Sequence, residues 1–82
     1  MQEEVTAEAC FQQALAVAQA QQSRMLALRA ATSLARLWQH QGRTAAAYPL
    51  LAEIYEQFNE GFTTLDLQLA RALLAELAEQ AY

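Results

Sequence analysis

Apolar positions along the chain recur at spacings of three and four, which is the period of one helix face and not the alternation of a strand. In residues 3–21 the stripe is Ala7, Phe11, Ala14, Leu15 and Ala18. In residues 24–41 it is Leu28, Ala31, Leu34, Ala35 and Trp38, widened by Met25, Ala30 and Leu37. A stripe that wide predicts a helix covered on two sides. Residues 45–59 carry the run "LLAEIYEQF", again at helical spacing. In residues 64–80, Leu65, Leu69, Leu73 and Leu77 recur every four positions, with Ala70 and Leu74 beside them. The pattern predicts four helices, over 3–21, 24–41, 45–59 and 64–80.

The segments between them hold the matching punctuation. "QAQQSR" is a soft break, with Ser23 placed to cap the second helix. Gly42 ends that helix, because glycine takes the left-handed conformation without a Cβ penalty. Thr44 is the expected cap of the third helix. That makes Pro49 its fifth residue, where the missing N–H and the ring crowding Ala45 predict a kink without a break. Gly61 is the expected stop. Thr63 and Asp66 then fit a capping box, with Asp66 favoured at the positive helix start. Connections this short make antiparallel neighbours and leave no linker, so residues 1–82 read as a single domain.

Composition supports the all-α reading. Ala and Leu dominate, Gln, Glu and Arg fill most of the rest, and Gly and Pro are scarce. A chain of 82 residues is short for core burial unless it is very regular or bound to a partner. Cys10 is the only cysteine, which excludes an internal disulfide and fits a reducing, cytoplasmic setting. The net charge of −4 lacks the basic footprint of a nucleic-acid binder. All the cations are arginine, as a GC-rich genome would give. No apolar run reaches the roughly 18–20 residues of a membrane span, and the acidic start "MQEEVTAEAC" is unlike a signal peptide.

"LAR" occurs at Leu34–Arg36 and again 35 residues later at Leu69–Arg71. Around Gly42 the large and small residues fall into an order that resembles the tetratricopeptide repeat, TPR. Leu34 and Ala35 match the large–small pair of its first helix, Trp38 its tyrosine, Ala47 the small residue at the helix crossing and Leu51 the large one after it. Ala31 stands where tryptophan is usual, and Ile54 where a second alanine is usual. Ala7, Phe11 and Ala14 resemble the second helix of a preceding repeat, and "LQLARALLAEL" the first helix of a following one. Ala7 to Ala47 spans 40 residues, so the helices would be extended. In the stretches "AEACFQQALAVAQAQQSRMLALRAATSLARLW" and "EGFTTLDLQLARALLAEL", and so over nearly its whole length, the chain is similar to the C-terminal end of certain large bacterial signalling proteins. These join a nucleotide cyclase or kinase domain, an ATPase of the AAA/STAND type and a TPR-like array. The resemblance implies a TPR-like right-handed solenoid fragment and a protein-binding role. Pro49 departs from it, standing where a polar residue is usual. The chain has no Gly-rich phosphate loop, so cyclase and ATPase activities do not carry over.

On that resemblance the first helices line a concave groove. Its positions are Arg29, Thr32, Ser33, Arg36, Gln39 and His40, then Thr64, Leu67, Gln68 and Arg71. Arg36 and Arg71 would share one repeat position, and with Arg29 would clamp an acidic peptide or a C-terminal carboxylate. The plain alternative is a solvated face that pairs with nearby acids. Trp38, Tyr48, Tyr55 and Phe58 read as packing in preference to an aromatic pocket. Cys10 and His40 lie at different heights on antiparallel helices, so the expectation is a buried cysteine and a surface histidine, with no metal, no cofactor and no catalytic set. The first helix lacks a partner helix of its own. Some of Val5, Cys10, Phe11 and Val17 should stay uncovered, and self-association, most simply as a homodimer, would cover them.

Overall fold

The computed structural model describes residues 2–58 and 64–81, and the side chains from residue 7 to residue 80 within those ranges. Among the described residues there are four helices and no strand: α1 (Gln2–Ala20), α2 (Arg24–His40), α3 (Thr44–Tyr55) and α4 (Leu65–Ala81). Every helix that the periodicity predicts is present. The third helix ends at Tyr55, earlier than the expected end at residue 59, while the expected stop at Gly61 and cap at Thr63 lie outside the described residues.

The first two turns share one construction. Gln21 and Gln41 follow α1 and α2, and the next residues, Gln22 and Gly42, are left-handed with φ of 58° and 78°. In each turn two amides reach back to the helix end. Gln22 and Ser23 donate to the carbonyls of Gln19 and Ala18 at 3.1 and 2.8 Å. Gly42 and Arg43 donate to those of Gln39 and Trp38 at 3.1 and 2.7 Å. Both are Schellman motifs, which satisfy carbonyls that the helix itself leaves unpaired. The last residue of each motif also opens the next helix. Ser23 is the N-cap of α2, but its side chain makes no capping bond. Arg43 is the N-cap of α3, so Thr44 is its first helical residue and not the cap expected of it.

α3 runs from Thr44 to Tyr55 with Pro49 inside it, as an uninterrupted helix. Its end tightens, as Gln57 and Phe58 donate to Ile54 and Tyr55, three residues back, at 3.2 and 3.1 Å. Phe58 still packs against the core.

α2 is the central helix. It packs against α1, α3 and α4, one neighbour more than its stripe predicts. Six of its residues are buried: Ala27, Leu28, Ala30, Ala31, Leu34 and Ala35. Ala31 and Ala35, with Ala47 of α3 and Ala70 of α4, are fully inaccessible. Side chains that small let helix axes approach, while Leu28, Leu51, Leu67, Leu73 and Leu77 fill the space between crossings. Ala31 and Ile54, the two departures from the TPR pattern, are both core residues here.

Polar contacts fix the helix directions. Glu8, early in α1, meets Trp38, late in α2, so these helices are antiparallel. Arg29 meets Asp66 and Gln39 meets Gln80, so α2 and α4 run parallel, start beside start and end beside end. α1 makes no close backbone approach to α3 or α4 among the described residues. The result is a slab with Cα extents of 37 × 32 × 18 Å, about two helix layers thick.

α4 corrects one expectation. Its buried stripe is Leu67, Ala70, Leu73 and Leu77, while Leu65 and Leu69 are 65% and 43% exposed. A spacing of four turns through about 400°, so a leucine repeat of four drifts by about 40° at each step. Leu65 and Leu77 therefore lie about 120° apart. Leu67, expected to line a groove, is core instead.

Candidate functional site

The described residues include three hollows to weigh. One, of about 700 Å³, lies at the α1–α2 turn. Its walls are mostly Gln19, Gln22, Ser23, Arg24 and Gln57, with no cluster of acids or nucleophiles. A second, between α3 and α4, is bordered by Tyr55, Gln68, Arg71, Ala72 and Ala75. The third is an open groove of about 640 Å³ along α1 and α2, and it is the most apolar. Phe11, Ala14 and Val17 of α1 face Leu26 and Ala30 of α2 across it, with Cys10 and Ser33 on its walls.

Three of the four residues expected to stay uncovered on α1 are described, and all three line this groove. Cys10 is exposed, Val17 is 47% exposed and Phe11 is half-buried, while the side chain of Val5 lies outside the described ones. The exposure of Cys10 corrects the expectation of a buried cysteine. It follows from the wheel: α1 turns Leu15 and Ala18 fully toward α2, and no third helix covers the flank holding Cys10 and Val17. Leu26, 49% exposed, completes the apolar lining and was missed. It sits between Met25 and Ala27 in a wide stripe, and the sequence shows no difference between a leucine facing the core and one facing a groove.

The expected arginine groove is divided by the fold. Nε of Arg29 donates to Asp66 Oδ2 at 3.0 Å across the α2–α4 contact. With Arg29 this exposed, the pair is worth only about 0–1 kcal/mol. Arg36 lies seven residues on, along the same stripe, and is exposed. Arg71 is elsewhere: it lies five residues past Asp66, about 140° round α4, and borders the α3 hollow with Gln68 and Tyr55. Gln39 donates to Gln80 at 3.2 Å. Thr32 spends its hydroxyl on the Leu28 carbonyl at 2.7 Å, within its own helix. Ser33 and His40 are exposed, and Thr64 is half-buried before α4. A clamp drawing together Arg29, Arg36 and Arg71 is therefore not assembled.

Among the aromatics, Trp38, Tyr55 and Phe58 pack at the edge of the core, while Tyr48 is exposed. Among the described residues, no three His, Cys, Asp or Glu side chains gather as metal ligands.

One polar cluster stands out, and it is a clasp. Trp38 Nε1–H donates to Glu8 Oε1 at 2.6 Å, and Arg43 Nη1 donates to the same oxygen at 2.8 Å. The Arg43 guanidinium also lies 4.6 Å from the centre of the Trp38 ring, a cation–π distance. Together these tie α1 to the α2–α3 turn. Glu8→Ala removes the acceptor and leaves the half-buried indole N–H unpaired. We expect a loss of about 1–2 kcal/mol, read as a lower urea midpoint, with a shift in fluorescence because Trp38 is the only tryptophan. An unchanged midpoint would show that the clasp does not hold α1.

Comparison with protein-family models, with curated proteins and with solved structures found no match. Among the described residues, no helix is long and apolar enough to cross a membrane.

Proposed function

We propose that the chain is a non-catalytic protein–protein interaction module, the terminal TPR-like part of a bacterial signalling or regulatory protein. The observation that carries this reading is the open groove between α1 and α2, where Phe11, Val17 and Leu26 offer apolar surface to a partner. An apolar groove between two helices suits the apolar face of a third helix. Two features support the TPR-like part of the reading. The α2–α3 hairpin turns on a left-handed Gly42, and α4 returns parallel to α2 while packing against both arms. Inaccessible alanines at the crossings, Ala35 and Ala47 among them, suit such a stack. The acidic-peptide alternative loses ground because Arg29 already holds Asp66 and Arg71 lies away from α2.

Light scattering over a wide concentration range tests the self-association form of this reading. The expected result is a mass that rises above 9.1 kDa with concentration. Val17→Glu, on an exposed part of the groove, should return the protein to monomer without loss of helix. A constant monomer mass at every concentration would remove self-association and leave packing onto the rest of a larger signalling protein.

A further inference from the structure

The interaction reading leaves open how two copies would meet. From the two uncovered faces of the chain we infer that copies associate head to tail, with α4 of one copy lying in the α1–α2 groove of the next.

The chain itself contains the template. α4 lies parallel to α2 and covers the α2–α3 pair, its start beside the start of α2. On the other flank of α2, the α1–α2 pair forms the groove, and no α4 residue lines it. What that flank lacks is a helix parallel to α2 and antiparallel to α1. α4 of a second copy has the direction, the length and an uncovered side. On the flank away from both its buried stripe and the α3 hollow it presents Leu65, Leu69 and Glu76, all exposed.

Register and charge agree. A helix parallel to α2 with starts aligned sets Leu65 and Leu69 beside Leu26 and Val17. These four residues are, with Tyr48, the large hydrophobic side chains most exposed among the described residues. Two turns beyond Leu69 along α4, and two turns before Val17 along α1, the same register sets Glu76 beside Cys10. α2 carries Arg24, Arg29 and Arg36 and no acid, whereas α4 carries Asp66, Glu76 and Glu79 against Arg71. Arg29 and Asp66 are already paired within the chain, so the charges left to meet at this contact are Arg36 of α2 and Glu76 of the incoming α4, both exposed. The two faces are different surfaces on one molecule, so the contact is heterologous and does not stop at two copies unless a ring closes.

Two double variants on exposed residues test this. Val17→Glu with Leu26→Glu spoils the groove; Leu65→Glu with Leu69→Glu spoils the α4 face. The wild type should exceed a dimer as concentration rises, and each variant alone should stay monomeric. Their equimolar mixture should form a one-to-one complex of twice 9.1 kDa, since each supplies the face the other has lost. A groove variant that is monomeric while the α4 variant still dimerises would overturn the inference in favour of two-fold pairing through α1, with self-association intact. A wild type monomeric throughout would overturn both. A second measurement needs no disruption of packing. Glu76→Cys, oxidised gently, should give a ladder of oligomers linked from residue 76 to Cys10 of the next copy; dimers linked only Cys10 to Cys10 would contradict the register.

Discussion

Leu51→Ala is expected to lower the stability of the chain by about 2–5 kcal/mol, the range for a fully buried leucine cut back to its Cβ. Leu51 is inaccessible and belongs to the same core cluster as Leu28, Ala35, Ala47 and Leu73, drawn from α2, α3 and α4. That cluster includes inaccessible alanines, which have no side chain to swing into the void, so collapse is limited. A domain of 82 residues has a total stability of about 4–12 kcal/mol. The loss is therefore a large fraction of the total, and from the lower end of that range it brings the variant to its unfolding midpoint. Urea titration followed by circular dichroism reads this directly. A loss under about 1 kcal/mol would mean that α3 can close over the gap and is not wedged by Leu51.

Pro49→Ala, two residues away, is expected to act in the opposite direction. Pro49 is exposed and lies at the sixth position of an otherwise continuous helix. It has no N–H for the carbonyl of Ala45, and it strains the helical conformation of Tyr48 before it. Alanine restores the bond and removes the clash. On helix-interior scales the exchange is worth about 3 kcal/mol, and the freer unfolded chain takes back about 0.4–1 kcal/mol. A net gain of about 2 kcal/mol should raise the melting temperature by about 8–16 °C in a domain this size. An unchanged or lower melting temperature would show that Pro49 itself is needed to seat Leu51 and Ile54.

These two residues also mark how far the sequence could be read. Helix number was legible because local chemistry sets it: the three-and-four spacing, Gly42 at a left-handed position and Asp66 in the first turn of α4. Gln22 was not legible. It adopts the left-handed conformation of Gly42, yet a glutamine carries no signal for it, and only its two return hydrogen bonds hold it there. The cap at Thr44 was misplaced for a related reason. The motif ending α2 finishes on Arg43, which leaves no residue free to stand between the helices. The candidate site was legible on α1, where Phe11, Cys10 and Val17 share one flank, and not on α2, where nothing local distinguishes Leu26 from a core leucine. Rotation of α4 about its axis was invisible for the same reason. Docking against α2 and α3 sets that rotation, placing Leu67 inside, Leu69 outside and Arg71 away from Arg36.

α1 packs on α2 and is clasped at Glu8, but it makes no close approach to α3 or α4 among the described residues. Its release would therefore cost one interface and leave the trio of α2, α3 and α4 standing. The groove has α1 as one of its walls, so whatever enters the groove also holds α1 in place. Occupancy and local order are then one equilibrium: a saturating ligand that prefers the closed wall shifts α1 toward closure by the factor that its own affinity gains from closure. The edge that receives a partner is also the edge that the partner completes.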